Sequence, residues 1–197
     1  MASYIDAANA VADDIAALFA PASDGTVALI GAVVKFYVGW PDKQTLDADL
    51  KAGTVHVSVW PLKGERVTVI TKADMDWVET GAAQAVRETQ RRTRQMQISI
   101  WASTFAARDL LGDAIDAHLS DTFRLTLADG TQALLSWTGG QLVDDKQLLN
   151  LYRRDVMLSV NYGVLQTMTA TPIAQTTVEM DAQVNGATIG SIALITP

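Results

Sequence analysis

The chain contains no cysteine. Disulfide scaffolds, thiolate metal sites and cysteine nucleophiles are therefore excluded, and the lack fits a reducing compartment. Histidine is nearly as scarce: His56 and His118 are the only imidazoles in 197 residues. Charge is sparse at 19%, and basic residues are outnumbered 15 to 22, for a net charge of -7 and a pI near 4.7. General binding of nucleic acid through a basic surface is disfavoured by that balance. Long apolar runs are missing too. A membrane-spanning helix needs about 20 apolar residues, and the most apolar early run, Thr26 to Val38, is interrupted by Gly31 and Lys35. The N-terminal stretch lacks a basic segment and carries Asp6, Asp13 and Asp14, which argues against a signal peptide. The expectation is a soluble, cytoplasmic origin with no membrane partner.

Hydrophobic residues make up 49% of the chain, enough for a real core. Two segments show long period-two alternation. In Arg92 to Trp101, Met96, Ile98 and Ile100 share one face and Gln95, Gln97 and Ser99 the other. In Tyr152 to Tyr162, Val156, Leu158, Val160 and Tyr162 share one face, and Asp155, Met157, Ser159 and Asn161 the other. Alternation of this length predicts half-buried antiparallel strands. The faces opposite the apolar ones read as polar but uncharged, suited to a subunit contact as well as to water.

Around this pair, Ser3 to Ala20 reads as an amphipathic helix opened by a Ser3/Asp6 capping box and closed by Pro21. Val27 to Trp40 reads as one extended run, Thr45 to Ala52 as a short helix stopped by Gly53, and Thr54 to Trp60 as a strand closed by Pro61. Glu65 to Thr71 reads as a further short strand, and Lys72 to Ala83 as loop or a helical turn. Phe105 to His118 is a helix with Thr104 as N-cap and a stripe of Ala107, Leu110, Leu111, Ala114, Ile115 and His118. Thr122 to Leu127 and Gln132 to Trp137 form a hairpin about Asp129-Gly130, Gly139-Gly140 breaks the chain, and Asp144 to Leu149 is a polar link. After Gln166 only Glu179 and Asp181 are charged, and Asn185-Gly186 between two apolar-alternating runs predicts a hairpin. The expected fold is α+β: a mainly antiparallel sheet with helices packed on one face, spanning 1–165, and a C-terminal β-hairpin appendage over 166–197.

Sites for chemistry are few. His118 lies near the C-terminal end of its helix, where capping accounts for it more cheaply than catalysis. His56 sits two residues from Ser58 on a strand, with no strained turn and no evident orienting acid, so a half-exposed strand face is the better reading. The acid groups at Asp13-Asp14, Asp42, Asp47/Asp49, Asp74/Asp76 and Asp144-Asp145 read as solvated charge; Asp74 and Asp76 resemble a calcium loop most, without its glycine and distal Glu. No phosphate-binding glycine loop is present. The sequence assigns no catalytic, cofactor or metal residues and no cofactor. The basic group Arg87, Arg91, Arg92 and Arg94, together with Arg153 and Arg154, suits carboxylate partners, across an interface or within the chain. The interface candidates are Arg91, Arg92, Arg94, Gln95, Gln97, Arg153, Arg154 and Asn161.

From the first helix to Tyr162 the chain resembles a tail-terminator (tail-completion) protein of tailed bacteriophages. The resemblance is carried by Gly39-Trp-Pro-Asp42, by Leu46-Asp-Ala-Asp-Leu-Lys-Ala-Gly-Thr-Val-His-Val-Ser-Val-Trp-Pro61, by Arg92-Thr-Arg-Gln-Met-Gln-Ile-Ser-Ile-Trp-Ala102 with the helix after it, and by Leu151 to Tyr162. It lies in the order of elements rather than in any one motif. It implies a compact subunit that closes into a ring, six-fold in similar proteins, which caps the tail-tube protein and meets the neck or head-completion proteins, with genomic DNA passing through the lumen unbound. The implied location is the virion tail or neck, after assembly in the host cytoplasm. Another neck or tail-tube subunit is the alternative, and a small hydrolase using Ser58 and His56 a weaker one.

Overall fold

The computed structural model describes residues 3–70, 77–79, 84–143, 151–169, 176–184 and 187–196. Three helices and ten strands are present among them. Helix α1, Tyr4–Phe19, opens with the expected capping box: Asp6 N–H donates to Ser3 Oγ at 3.2 Å and Ser3 N–H to the Asp6 carboxylate at 2.8 Å. Its inward stripe is Ala7, Ala8, Val11, Ala12 and Ile15, and a left-handed Ala20 ends it.

The extended run expected from Val27 onward is instead a tight hairpin. Strands β1, Thr26–Val27, and β2, Ala32–Val38, pair antiparallel about a turn in which Gly31 takes φ 62°, a conformation that favours glycine. Helix α2, Lys43–Lys51, is capped by Asp42, whose carboxylate accepts from Thr45 N–H, and Gly53 at φ 80° turns the chain into β3.

Strand β3 runs Val55–Val69, so Pro61 does not close it and Glu65 does not start a new strand. The reason lies at the strand's outer edge. Val59 turns its carbonyl outward to Gly39 N–H, so two residues on Pro61 faces the same side, beyond the end of β2, where the missing N–H costs no ladder bond. The ladder to β5 shifts register between Pro61 and Glu65. Val78–Glu79 forms β4, a short strand where a loop or helical turn is expected; the rest of Lys72 to Ala83 lies outside the described residues. Strand β5 is Gln84–Ala102 and helix α3 is Phe105–Asp121, capped by Thr104 as expected.

Strands β6, Arg124–Thr126, and β7, Gln132–Val143, form the expected hairpin. Gly139-Gly140 does not break the chain. β7 continues through it with a register shift between Trp137 and Gly139, the latter at φ 135°. The polar link Asp144 to Leu149 lies outside the described residues. Strand β8, Tyr152–Thr169, outlasts the expected Tyr162 by seven residues. Strands β9, Thr176–Val184, and β10, Ala187–Thr196, pair with Ala187 opposite Val184; Asn185-Gly186 itself lies outside the described residues.

The main sheet has the order β1-β2-β3-β5-β8-β7-β6, with β4 on β5. Only β2 and β3 are parallel, joined through α2. Strands β5 and β8 run antiparallel, since Asn161 meets Thr93 while Asp155 meets Ser99. The chain divides into two compact units: Met1–Met75 with Glu88–Gln166, and Asp76–Arg87 with Thr167–Pro197. In the second, β9 pairs β10, and the Arg87 guanidinium lies 4.7 Å from the centre of the Trp77 ring.

In the first unit, one face of the sheet carries the core. Val55, Val57, Val59, Met96, Ile98, Ile100, Val156, Leu158, Val160 and Tyr162 are buried against Ala8, Val11 and Ile15 of α1 and Leu111, Ile115 and Leu119 of α3. Each large aliphatic side chain in that layer contributes roughly 1.5–3 kcal/mol by burial. The two long helices thus share one face, as expected. Helix α2 lies on the other, where Leu46 and Leu50 close on Trp101 in a small second cluster. The α3 stripe is rotated from its expected position. Leu110 is half exposed, while Arg108 and Gly112 are buried, because the Arg154 side chain lies over Gly112.

Candidate interaction face

The strand period assigns the interface candidates to two different faces. Arg92, Arg94 and Arg154 belong to the helix side. Arg91, Gln95, Gln97, Arg153 and Asn161 belong to the opposite face. Alternation along β5 and β8 already contains this division, and grouping the arginines by sequence proximity hides it.

On the helix side, each arginine is tied into the fold. Arg92 donates to Glu65 at 3.4 Å and to Gln90 at 3.1 Å. Glu65 also accepts from the Tyr162 hydroxyl at 2.7 Å; burial first, and this carboxylate second, push the Tyr162 phenol well above its ordinary range. Arg94 donates to the Leu62 carbonyl at 3.0 Å and stacks on Tyr4 with 4.2 Å to the ring centre. Arg154 reaches Asp113 at 2.7 Å and also pairs with Asp116, both on α3. Burial opposes its charge, but the two carboxylates more than offset that and raise its pKa above the ordinary arginine value.

The opposite face of β5 and β8 carries a polar lattice of two hydrogen-bonded networks. Arg91 pairs with Glu88 at 2.7 Å and reaches Asn161 at 3.2 Å; Asn161 donates to Thr93 at 2.8 Å. Farther along, Gln97 donates to Ser99 at 2.9 Å, Ser99 to Asp155 at 2.7 Å, and Arg153 grips both oxygens of Asp155 at 2.7 Å. Asp155 is 1% exposed. The face is therefore polar but not uncharged: a buried carboxylate sits in it, held by a fork-shaped donor of matching geometry. Gln95 is exposed, and the Arg91 side chain also keeps a large exposed area.

A tryptophan cluster borders this lattice. Trp40 meets Trp101 edge-on at 5.5 Å and Trp60 at 6.1 Å, and the Arg153 guanidinium lies 4.9 Å from the Trp40 ring centre and 4.6 Å from that of Trp101. Trp40 and Trp60 keep large exposed areas. Exposed Trp next to Arg is the composition of interface anchors. Sequence reading missed the cluster because its members are distant in the chain. The register Val38↔Val59 sets Trp40 near Trp60, and His56↔Trp101 places Trp101 on the next strand, where Trp40 reaches it.

His56 also departs from its expected setting. It is buried, not half exposed, and it does have an orienting acid. Its Nε2 lies 3.0 Å from Asp49 of α2, close enough for charge attraction but off the line of a hydrogen bond, and Nδ1 is 3.1 Å from the Tyr37 hydroxyl. Asp49 is further held by Lys35 at 2.5 Å. Burial lowers the His56 pKa below its ordinary value despite Asp49; burial, then the Asp49 charge, raises that of Tyr37 to about 12. Ser58 is fully buried and its Oγ has no hydrogen-bond partner. A nucleophile there has no route to a substrate. His118 joins two helices, with Nε2 2.7 Å from Asp14 of α1.

Two open cavities lie on the helix side. One of about 480 Å³ is lined by Asp109, Asp113, Asp116, Trp137, Leu142 and Arg154 among others, and one of about 600 Å³ by Asp6, Asp13, Asp14 and Arg124 among others. Among the described residues no cluster of three metal-ligating side chains occurs, and no helix is long and apolar enough to cross a membrane. Asp74, Asp76, Asp144 and Asp145 lie outside the described residues.

In sequence, no known family and no curated protein matches the chain. Among solved structures it is similar to a chain of the virion of a native gene transfer agent particle. The identity is 18%, over 82% of this chain and all of that one, with a TM-score of 0.42. A likeness of that size assigns no role.

Proposed function

We propose that this chain is a structural virion protein that caps a tail tube as a closed ring at the head-to-tail connection. One observation carries the reading. The element order on which the resemblance rests is helix, strand, short helix with a glycine stop, Val-rich strand, Arg-led long strand, helix, hairpin and closing strand. It is the order α1, β2, α2, β3, β5, α3, β6–β7 and β8 of the fold. The polar lattice and its tryptophan border add a face suited to protein contacts, and the acidic balance suits a conduit along which DNA slides without sticking. Its partners on this reading are further copies of itself, the tail-tube protein and the neck or head-completion proteins.

The test omits the protein from tail assembly and inspects the tubes by electron microscopy. A terminator leaves tubes of uncontrolled length that fail to join heads. Tubes of normal length that join heads without it overturn the reading. If the protein itself stacks without limit, it is a tail-tube subunit instead.

A further inference from the structure

We propose, resting on the ring reading above, that neighbouring copies join by pairing the outer edge of β3 over residues 65–69 with the outer edge of β7 over residues 139–143. Strand β2 covers β3 only from Val55 to Val59. Strand β6 covers β7 only from Gln132 to Leu134, with one further bond from Leu135 N–H to the Phe123 carbonyl. Past those points, among the described residues, no strand lies outside either edge. Uncovered edges of this kind are templates for another chain.

Strand direction permits the pairing. β3, β5, β8 and β7 are successive antiparallel neighbours, so β3 and β7 point opposite ways. A second copy related by rotation therefore sets its β3 antiparallel to the first copy's β7.

The backbone phase permits it as well. Ile70 N–H bonds the Thr89 carbonyl, so even-numbered residues here face β5, and Glu65, Val67 and Val69 turn their N–H and C=O groups outward. The Leu135 bond to Phe123 sends odd-numbered residues of that part of β7 toward β6, so Leu134 and Ser136 face β8 at Asn161 and Ser159. β8 keeps this alternation past the β7 irregularity. Gly139, Gln141 and Val143 then face Met157, Asp155 and Arg153, leaving Gly140 and Leu142 turned outward. On both edges the outward residues carry their side chains on the helix side. In a hydrogen-bonded antiparallel pair the two side chains share a face, so the edges match. Three or five strands between them, instead of four, would have set them on opposite faces.

The side chains agree with the backbone. Val67 is 47% exposed, Val69 69% and Leu142 55%. Pairing the edges covers all three from the same side. Charge is compatible on that side: exposed Lys63 lies beside the start of the β3 edge, and Asp109, Asp113 and Asp116, with Arg154 among them, lie beside Leu142. The two edges are offset along the strands by about seven residues, so repeated pairing runs obliquely, the tilt that lets a sheet close on itself. A head-to-tail contact of this kind is heterologous and makes a ring when its rotation closes.

The test uses cysteine pairs in a chain that has none of its own. Hydrogen-bonded neighbours across such a ladder have Cα atoms about 5.5 Å apart, within disulfide range. Val67→Cys/Leu142→Cys or Val69→Cys/Leu142→Cys, oxidised over a concentration series of the purified chain and again with tail tubes, gives a ladder of linked multimers on a non-reducing gel. Val67→Cys/Gln141→Cys, whose side chains point to opposite faces, gives no ladder. Oligomers seen by native mass measurement that link through neither pair overturn the edge assignment and leave the ring reading standing. A chain that stays monomeric at every concentration and on the tube overturns both.

Discussion

A Cβ atom on Gly112 of α3 would lie 2.5 Å from Cδ of Arg154 on β8. The glycine is thus the opening through which the arginine crosses the helix to reach Asp113 and Asp116. That opening comes at the cost of a residue with poor helix propensity.

Gly112→Ala tests this directly. On propensity alone the change stabilises a helix by about 1 kcal/mol. Here the methyl group must displace the flexible end of Arg154, and weakening its ion pairs with Asp113, which is largely exposed, and Asp116 offsets that gain, so the expected net effect is a loss of no more than about 1 kcal/mol. In an Arg154→Ala background the obstruction is gone and the sign reverses. Urea denaturation of the four proteins of the cycle measures it; additive effects would mean that the two residues do not compete for space.

The facing of β5 gives a second expectation. Ile98 is fully buried between the sheet and the helices, and Gln97 points to the polar lattice. Ile98→Ala should cost about 2–5 kcal/mol, and Ile98→Asp should abolish soluble expression. Gln97→Ala removes one hydrogen bond from a partly exposed site and should cost about 0.5–1.5 kcal/mol. Equal melting shifts for Ile98→Ala and Gln97→Ala would refute the assigned faces.

Both strands and their faces were legible in the sequence because two-residue alternation survives any global arrangement. The long helices were legible through capping and spacing: Ser3 with Asp6, and Thr104. Failures occurred where a neighbour in space decides. Pro61 reads as a stop, but the strand passes through it because its nitrogen faces an uncovered edge. Leu110 fits an inward stripe by spacing, but Arg154 rotates that stripe toward Gly112. His56 reads as half exposed until α2 is seen to lie across it, bringing Asp49. The arginines near residue 92 read as one cluster, while the pleat divides them between two faces.

The setting of His56 predicts a pH dependence. Burial, the largest influence, depresses its folded pKa, so the unfolded chain takes up the proton first. Stability from the neutral imidazole is present above the unfolded value of about 6.5 and declines as pH falls below it, levelling off once the folded histidine is also protonated. Asp49 acts in a separate, lower window. Its pKa is lowered, chiefly by the Lys35 hydrogen bond, so its contribution is lost only as pH falls below the ordinary value of 3.8. His56→Gln should flatten the melting temperature between pH 6.5 and 5, within about one degree of a constant difference from its pH 7.5 value. An unchanged slope in that variant would remove His56 from the account.

Asp155 and Arg153 predict a coupled loss. Asp155→Ala leaves Arg153 without the carboxylate that aims it between Trp40 and Trp101, and leaves Ser99 without its acceptor. Removing one partner from a buried pair costs about 3–5 kcal/mol. Because Arg153 is also partly exposed, the lower end is expected. Replacing both, as Arg153→Met with Asp155→Leu, leaves no unpaired charge and should recover most of the stability, since apolar pairs of similar volume often match a buried ion pair. The tryptophans supply a second readout. Their emission should shift in Asp155→Ala, where the guanidinium is released, and the shift should not follow stability: the double variant regains its melting temperature but not the native spectrum. A double variant as unstable as Asp155→Ala would show that this face depends on the charges themselves rather than on their being paired.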